Sequence, residues 1–172
     1  LSAAVQRAGN EPFAEQVHKR IAQPLKLTTL RPDYQWETIP HRAVGYKKIG
    51  NIIIRSTNSD VSWKLGGGGF LSSIEDLAKY NAGLVRGGLV TKTSQETMWT
   101  PQGINQGQPS GYGLGFSIRS LNGVKYVGHS GAQEKTRTDL SFIPQKKIGV
   151  VVMTNSEYGK PKEIARALYP LL

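Results

Sequence analysis

The sequence contains no cysteine, which excludes disulfide bonds, thiolate metal sites and cysteine nucleophiles together. It also lacks a long apolar run: the longest, Ile148 to Met153, has the length of a buried strand, far short of a transmembrane helix. The histidines are scattered, and no two have the H-x-x-x-H spacing that favours a zinc site. We therefore expect no transmembrane segment, no bound metal and no cofactor.

Acidic residues are scarce as well: the chain has 12 aspartates and glutamates and 22 lysines and arginines, which gives a net charge of +10. Such a charge is compatible with nucleic acid, with an anionic polymer of the cell envelope, or with nothing more than solubility. The basic residues occur in ones and twos and lack the interleaved aromatic residues that stack on bases. We therefore do not expect nucleic acid as a partner.

What is present is the composition of an ordinary globular chain, with 172 residues, 38% of them hydrophobic and 20% charged. This is enough for one compact domain or for part of a larger one. Leu1 stands first, and no basic-then-apolar leader follows it. These features leave open whether the chain is a mature protein, a cloned fragment or a proteolytic product.

Helical patterns dominate residues 1–110. Over residues 11–25, Phe13, Val17 and Ile21 recur at the spacing of one helix face. Residues 43–55 interrupt this region with a predicted hairpin that turns near Gly50–Asn51.

A second helix is predicted to follow a run of glycines, residues 66–69. The run lacks the Lys-Ser/Thr of a P-loop, so it indicates a tight loop. Ser72 with Glu75 has the spacing of a capping box for the helix, and Thr93 with Glu96 repeats that spacing for a shorter helix.

Strand patterns dominate residues 111–172. An alternating segment over residues 113–118, an Asn122–Gly123 turn, a strand over residues 140–143 and an apolar strand over residues 148–154 predict an antiparallel sheet. A last helix over residues 162–172 is expected to bury a stripe formed by Ile164, Ala167 and Leu168. Helices, then a meander, then a helix make this an α+β chain.

Five short motifs occur in a recognisable order. They are Pro12-Phe13 with residues 21–25, residues 69–78 (GFLSSIEDLA), residues 111–116 (GYGLGF), residues 126–132 (YVGHSGA), and residues 142–144 with 148–155. In this order they resemble the C-terminal half of the class C β-lactamase and DD-peptidase family of serine hydrolases. The resemblance implies that residues 1–110 belong to the helical domain of that fold and residues 111–172 to its sheet domain.

The family carries three motifs: S-x-x-K, then Y-x-N or S-x-N, then K-T-G or H-x-G on an edge strand. His129-Ser130-Gly131 matches the third and would line one wall of the substrate cleft. The resemblance implies that the Ala132 N–H stabilises the oxyanion and that His129 contacts the substrate carboxylate or positions the tyrosine. Ser130 and Gly131 would line the substrate strand.

Two further residues are candidates for substrate binding on weaker grounds. Asn155, after the last apolar strand, resembles a family residue near the substrate carboxylate, although asparagine also commonly ends strands. Arg137 could add positive charge to the cleft, although arginines at such positions more often only face solvent.

The other two family motifs are absent. No serine or threonine has a lysine three positions later, and no tyrosine has an asparagine two positions later. A serine without a base in reach is inert, so we expect the chain alone to be inactive. The leading expectation is the C-terminal portion of a periplasmic or secreted β-lactamase, DD-peptidase, D-aminopeptidase or esterase. We expect it to pair with an N-terminal half or to self-associate through an exposed strand. The alternative is a non-catalytic module that binds peptidoglycan-like or peptide ligands.

Overall fold

The computed structural model describes residues 1–103 and 110–171. Over this part of the chain the helices are α1 (Ser2–Gly9), α2 (Phe13–Val17), α3 (Gln23–Leu25), α4 (Ile74–Arg86), α5 (Lys92–Met98) and α6 (Pro161–Leu168). The strands are β1 (Arg31–Pro32), β2 (Tyr46–Ile49), β3 (Ile52–Arg55), β4 (Phe70–Leu71), β5 (Ser117–Leu121), β6 (Val124–Gln133), β7 (Thr136–Ile143) and β8 (Ile148–Thr154). Residues 104–109 of the predicted helix-rich region and Leu172 of the predicted terminal helix lie outside the described residues.

The helix predicted over residues 11–25 is one continuous helical path, formed by α2, a π-helical turn (His18–Ala22) and α3. The two capping boxes are each wrong in register. Ser73, not Ser72, is the N-cap of α4, and its hydroxyl accepts a hydrogen bond from the Asp76 N–H at 3.3 Å. Thr91, not Thr93, is the N-cap of α5, and its hydroxyl accepts a hydrogen bond from the Ser94 N–H at 3.2 Å. Hydroxyl residues stand close together at both starts, so spacing alone did not identify the cap.

Strands β5 to β8 form a four-stranded antiparallel sheet in chain order, as predicted. The first hairpin closes at Asn122–Gly123, whose φ angles of 51° and 75° are those of the mirror-image turn that Asn-Gly favours. The strand predicted over residues 113–118 begins only at Ser117. Gly111 and Gly115 have φ angles of 67° and 85°, which break the extended chain before it.

The two faces of this sheet pack against different helices. On the first face, the α4 side, the fully buried Val127 and Phe142 pack with Leu84 of α4. On the second, the α6 side, Ile143 and Val150 of the sheet form a second cluster with Ala165 of α6. Burial on both faces explains why the β8 sequence is continuously apolar.

The stripe predicted for the terminal helix is wrong. Ile164 and Leu168 are 46% and 39% exposed, and Ala167 is exposed too. The residues that the helical end of the chain buries are Pro161, Ala165 and Tyr169. The observed stripe is adjacent to the predicted one around the helix, and both are apolar.

A smaller sheet forms the predicted hairpin, in which β2 and β3 pair around Gly50–Asn51. Its base is tied to the end of the main sheet, because Tyr46 N–H donates to the Asn155 carbonyl at 2.9 Å. β1 pairs with β4 in a second small sheet. Among the described helices, none has the length and apolar character needed to cross a membrane.

Candidate active site

The H-x-G residues, His129, Ser130 and Gly131, lie in the carboxyl-terminal half of β6. Side chains alternate along a strand, and Val127 of β6 faces α4, so His129 and Gly131 face the α4 side as well. A Cβ at Gly131 would lie 2.5 Å from the Thr138 hydroxyl on β7, so this position holds only glycine unless Thr138 moves. Because Gly131 has no side chain, a ligand can approach the β6 backbone there.

Beyond Gly128, β6 has an open edge. β5 begins at Ser117, opposite Gly128, and the Ser117 hydroxyl donates to the Gly128 carbonyl at 3.1 Å. The backbone groups of Gly128 therefore face β5. Since these groups alternate along a strand, those of Ser130 and Ala132 face the same way. No described strand stands opposite them. The N–H of Ala132 thus points away from β7, out of the sheet edge.

An aromatic residue borders His129. The ring of Tyr112, in the loop before β5, lies 6.0 Å from the His129 ring at an interplanar angle of 78°. The loop is held in place by backbone bonds, including one from the Gln102 N–H to the Tyr112 carbonyl at 2.8 Å. Both side chains are exposed, so both are accessible to a ligand. Sequence reasoning did not identify Tyr112 as a site residue, because its contact with His129 depends on the fold.

The glycine run forms the far end of the wall, a position that the sequence pattern did not indicate. The Gln133 side chain accepts from the Lys64 ammonium at 2.9 Å and donates to the Gly68 carbonyl at 3.4 Å. The Lys64 ammonium also lies 5.8 Å from the centre of the Trp63 ring, which is 79% exposed. A 3-10 helix (Ser62–Gly67), which includes the first two glycines of the run, therefore holds a cation and an aromatic face beside the end of β6.

Two of the sequence candidates lie elsewhere. The Arg137 side chain lies on the α6 side of the sheet, which is the other face from the one that His129 occupies. Its guanidinium donates to the Thr136 carbonyl at 2.8 Å. Asn155 follows β8, two strands away from β6, and its side-chain amide donates to the Val44 carbonyl at 2.9 Å. Both side chains hold backbone in place, and the structure does not bring them to the wall formed by His129 and Gly131.

Lys135, in the β6–β7 turn, lies near charged groups of both signs. Burial lowers the pKa of Lys135, and the nearby Arg42 lowers it further, against the opposing effect of Asp33 and Glu134. No serine or threonine hydroxyl in the described residues hydrogen-bonds to a lysine amine. The described residues also hold no cluster of metal-binding side chains. The site thus provides a wall and donors but no activated nucleophile.

Comparison with known proteins identifies the fold to which this wall belongs. The family model described as Beta-lactamase matches residues 1–172. The chain belongs to the beta-lactamase family. A Bacillus subtilis (strain 168) protein named as a penicillin-binding protein, PbpX, is 30% identical over 118 residues, covering 69% of this chain and 29% of its own length. A D-aminopeptidase of Cereibacter sphaeroides is 24% identical over 161 residues, covering 91% of this chain and 30% of its own.

Solved structures have the same fold. The octameric penicillin-binding protein homologue from Pyrococcus abyssi superposes with a TM-score of 0.82 at 28% identity, over 99% of this chain and 40% of that one. A D-stereospecific amidohydrolase from Streptomyces sp. superposes with a TM-score of 0.81 at 20% identity, over 97% of this chain and 51% of that one. The chain therefore spans about half or less of the length of these relatives.

Proposed function

We propose that the chain forms one wall of the active site of a serine hydrolase that cleaves amide or ester bonds through an acyl-enzyme. The observation that carries the proposal is the open edge of β6, where the Ala132 N–H stands beside Gly131 with no strand in front of it. A substrate lying along this edge pairs with it as an added strand. Its carbonyl oxygen then receives the Ala132 N–H.

The chemistry requires a second polypeptide segment. A serine hydroxyl attacks the substrate carbonyl, and the oxyanion is held by the Ala132 N–H and by the nucleophile's own N–H. The leaving amine or alcohol departs with a proton, and water hydrolyses the acyl-enzyme. The 172 residues contain no S-x-x-K, so in this proposal the serine and its base come from outside them. His129 contacts the substrate carboxylate or positions the tyrosine of the second motif.

Of the substrate classes, amides and peptides of D-amino acids have the most support. One relative is named as a D-aminopeptidase and one structural neighbour as a D-stereospecific amidohydrolase. A histidine stands where class C β-lactamases usually have the lysine of K-T-G, and this favours a peptidase or esterase over a β-lactamase. Relatives named as penicillin-binding proteins support a periplasmic or secreted location, which cell fractionation tests.

The test uses a longer protein that contains both this chain and an S-x-x-K motif. The gene region upstream of Leu1 is sequenced for S-x-x-K, and the longer protein is assayed with a D-amino acid p-nitroanilide and a chromogenic β-lactam. Ala132→Pro removes the N–H and lowers kcat by about 10²–10³-fold, whereas the control Ala132→Gly keeps the N–H and the rate. Equal rates for the two variants contradict the oxyanion role. The 172-residue chain alone gives no turnover above buffer, and a titratable active-site serine in it contradicts the proposal.

The unpaired β8 edge of the sheet is a surface through which this chain can bind a partner. β8 pairs with β7 on one side, and no described strand pairs along its other edge. An open edge next to the exposed Ile164 and Leu168 is a template for another chain. The chain then binds an N-terminal half or a copy of itself. Light scattering over a dilution series tests this, and a cooperatively melting monomer at all concentrations contradicts it.

A second candidate is a binding module without chemistry, which the absence of both S-x-x-K and Y-x-N favours. It predicts that peptides bind the open edge of β6 although no upstream serine motif exists. An upstream open reading frame without S-x-x-K, together with peptide-induced shifts of the Ser130 and Ala132 amide signals, selects this candidate over the hydrolase.

A further inference from the structure

The β2–β3 hairpin carries an exposed apolar tip that the proposed active site does not use. Four isoleucines are 59%, 68%, 56% and 37% exposed: Ile49, Ile52, Ile53 and Ile54. They flank the Gly50–Asn51 turn, and the strand register places Ile49, Ile52 and Ile54 on one face of the hairpin and Ile53 on the other. Single exposed apolar side chains are ordinary, but a contiguous group of this kind indicates a binding surface.

The hairpin is attached to the rest of the chain at its base. The Tyr46 N–H donates to the Asn155 carbonyl at 2.9 Å, and the Glu157 N–H donates to the Tyr46 carbonyl at 2.8 Å. The Asn155 side chain holds the Val44 carbonyl just before β2. Towards the tip, β2 and β3 pair with each other and with no other described strand. The tip therefore projects from an anchored base.

The residues of the hairpin itself carry charge of one sign, and the nearest acidic group is Glu157 at its base. No aspartate or glutamate occurs between Glu37 and Asp60, whereas the hairpin contains Lys47, Lys48 and Arg55. None of these three cations forms an ion pair within the described part of the chain. A hairpin that is apolar at the tip and cationic behind it complements an anionic surface with an apolar layer beneath.

We propose that this hairpin binds the surface of an anionic lipid membrane. Ile49 and Ile52 form the tip, Lys48 lies one step behind it and Lys47 two steps, at about 3.3 Å per step. The tip thus reaches the boundary between headgroups and acyl chains, about 5–10 Å deep, while the lysines lie at phosphate level. Among the described strands none pairs with the outer edges of the hairpin, so insertion stops at the interface and does not enter the hydrocarbon core.

The same charges argue against the other occupants. Two copies of the hairpin meeting tip to tip would bring Lys47 and Lys48 of each copy towards those of the other, which repels. An apolar protein partner explains the isoleucines but leaves the acid-free stretch between Glu37 and Asp60 without a role. Anionic lipid accounts for both features.

The experiment is co-flotation of the 172-residue chain with phosphatidylcholine vesicles and with vesicles containing 30% phosphatidylglycerol. The chain floats with the anionic vesicles, and added salt weakens the binding because the Debye length shrinks. Ile52→Ser lowers the partition coefficient by about tenfold. Its matched control is Leu121→Ser, at the tip of the β5–β6 hairpin, where the leucine is 56% exposed. That variant binds like the parent chain.

A charge test separates the hairpin from the overall charge of +10. Lys47→Gln with Lys48→Gln lowers binding by roughly 25-fold, at about fivefold per lysine. The control, Lys146→Gln with Lys147→Gln, removes the same charge from the exposed β7–β8 turn and leaves binding within about twofold.

Three outcomes overturn the proposal. Equal losses for the two lysine pairs mean that binding is non-specific. A chain that floats with neither kind of vesicle rules out the membrane as the occupant. An oligomer that Ile52→Ser converts to monomer without any vesicle binding assigns the tip to protein contact. None of these outcomes depends on hydrolase activity, so the proposed function stands or fails separately.

Discussion

The two faces of the four-stranded sheet are covered by helices of different length, the 13-residue α4 and the 8-residue α6. On the α4 side the core is closed: Val127 and Phe142 are 0% exposed. On the α6 side, Ile164 and Leu168 of the covering helix remain exposed. The sheet residues are buried on both faces, with Ile143 2% exposed on the α6 side, but α6 leaves apolar surface on its outer side, where further polypeptide would add stability.

Two buried aspartates repeat this difference. Asp76, in the first turn of α4, accepts from the Thr29 N–H at 2.6 Å and the Thr29 hydroxyl at 2.7 Å, and pairs with Lys79 at 2.9 Å. Asp139, on the α6 side, accepts from the Ser141 hydroxyl at 2.8 Å and pairs with no cation among the described residues. A buried carboxylate needs such partners: Asp76 has three donors of this kind, whereas the partner of Asp139 is the Ser141 hydroxyl.

The largest expected effect is in the closed core. Phe142→Ala removes a ring that packs 5.0 Å from Trp99 and 6.1 Å from Phe116, and should lower the free energy of unfolding by about 3–5 kcal/mol. Ile164→Ala, on the half-covered helix, should cost less than about 1 kcal/mol. Urea denaturation of both variants measures the difference. Similar losses would show that the two faces are equally closed.

The next effect concerns Asp76 and acid. Burial by itself raises its pKa, but hydrogen bonds from Lys79 and Thr29 outweigh burial and lower the pKa from 3.8 to about 2. Because the folded pKa is depressed, this stabilisation is fully present above about pH 4 and is lost as the pH falls towards 2. Asp76→Asn should lower stability at pH 7 by on the order of 2 kcal/mol and flatten the acid limb of the pH curve. Glu96→Gln, at an exposed position of α5 that forms no ion pair among the described residues, is the control and should leave that limb unchanged.

The smallest effect is expected at Asp139. Asp139→Asn removes a buried charge that lacks a cation and keeps an acceptor for the Ser141 hydroxyl, so stability should change by less than about 0.5 kcal/mol or increase. Thermal melting at pH 7 measures it. A loss as large as that of Asp76→Asn would mean that the α6 side supplies a counter-charge, and the contrast between the faces would fail.

Local patterns predicted much of the fold. The Asn122–Gly123 and Gly50–Asn51 turns and the apolar β8 strand carry their own conformational signals, and the structure contains all three. The terminal helix illustrates the limit. Ile164 with Leu168 and Ala165 with Tyr169 form neighbouring apolar stripes, and which one faces the sheet depends on packing that the helix sequence does not contain.

The candidate site divides in the same way. His129 and Gly131 could be found from the sequence because they form one contiguous motif on a strand. Tyr112 and Lys64 could not, since their contacts with His129 and Gln133 join segments far apart in the chain. Arg137 and Asn155 were chosen for their chemistry, but the pleat and the strand order direct them to other places.

The open edge of β6 is the central claim, and amide hydrogen exchange read by NMR tests it most directly. Gly131 and Gln133 direct their N–H groups towards β7, so their amides should be protected, whereas the Ala132 amide should exchange much faster. A D-amino acid peptide added at saturation should then slow exchange at Ala132. Protection of Ala132 equal to that of Gly131 in the free chain would mean that its N–H is already bonded, and the proposed oxyanion donor would be lost.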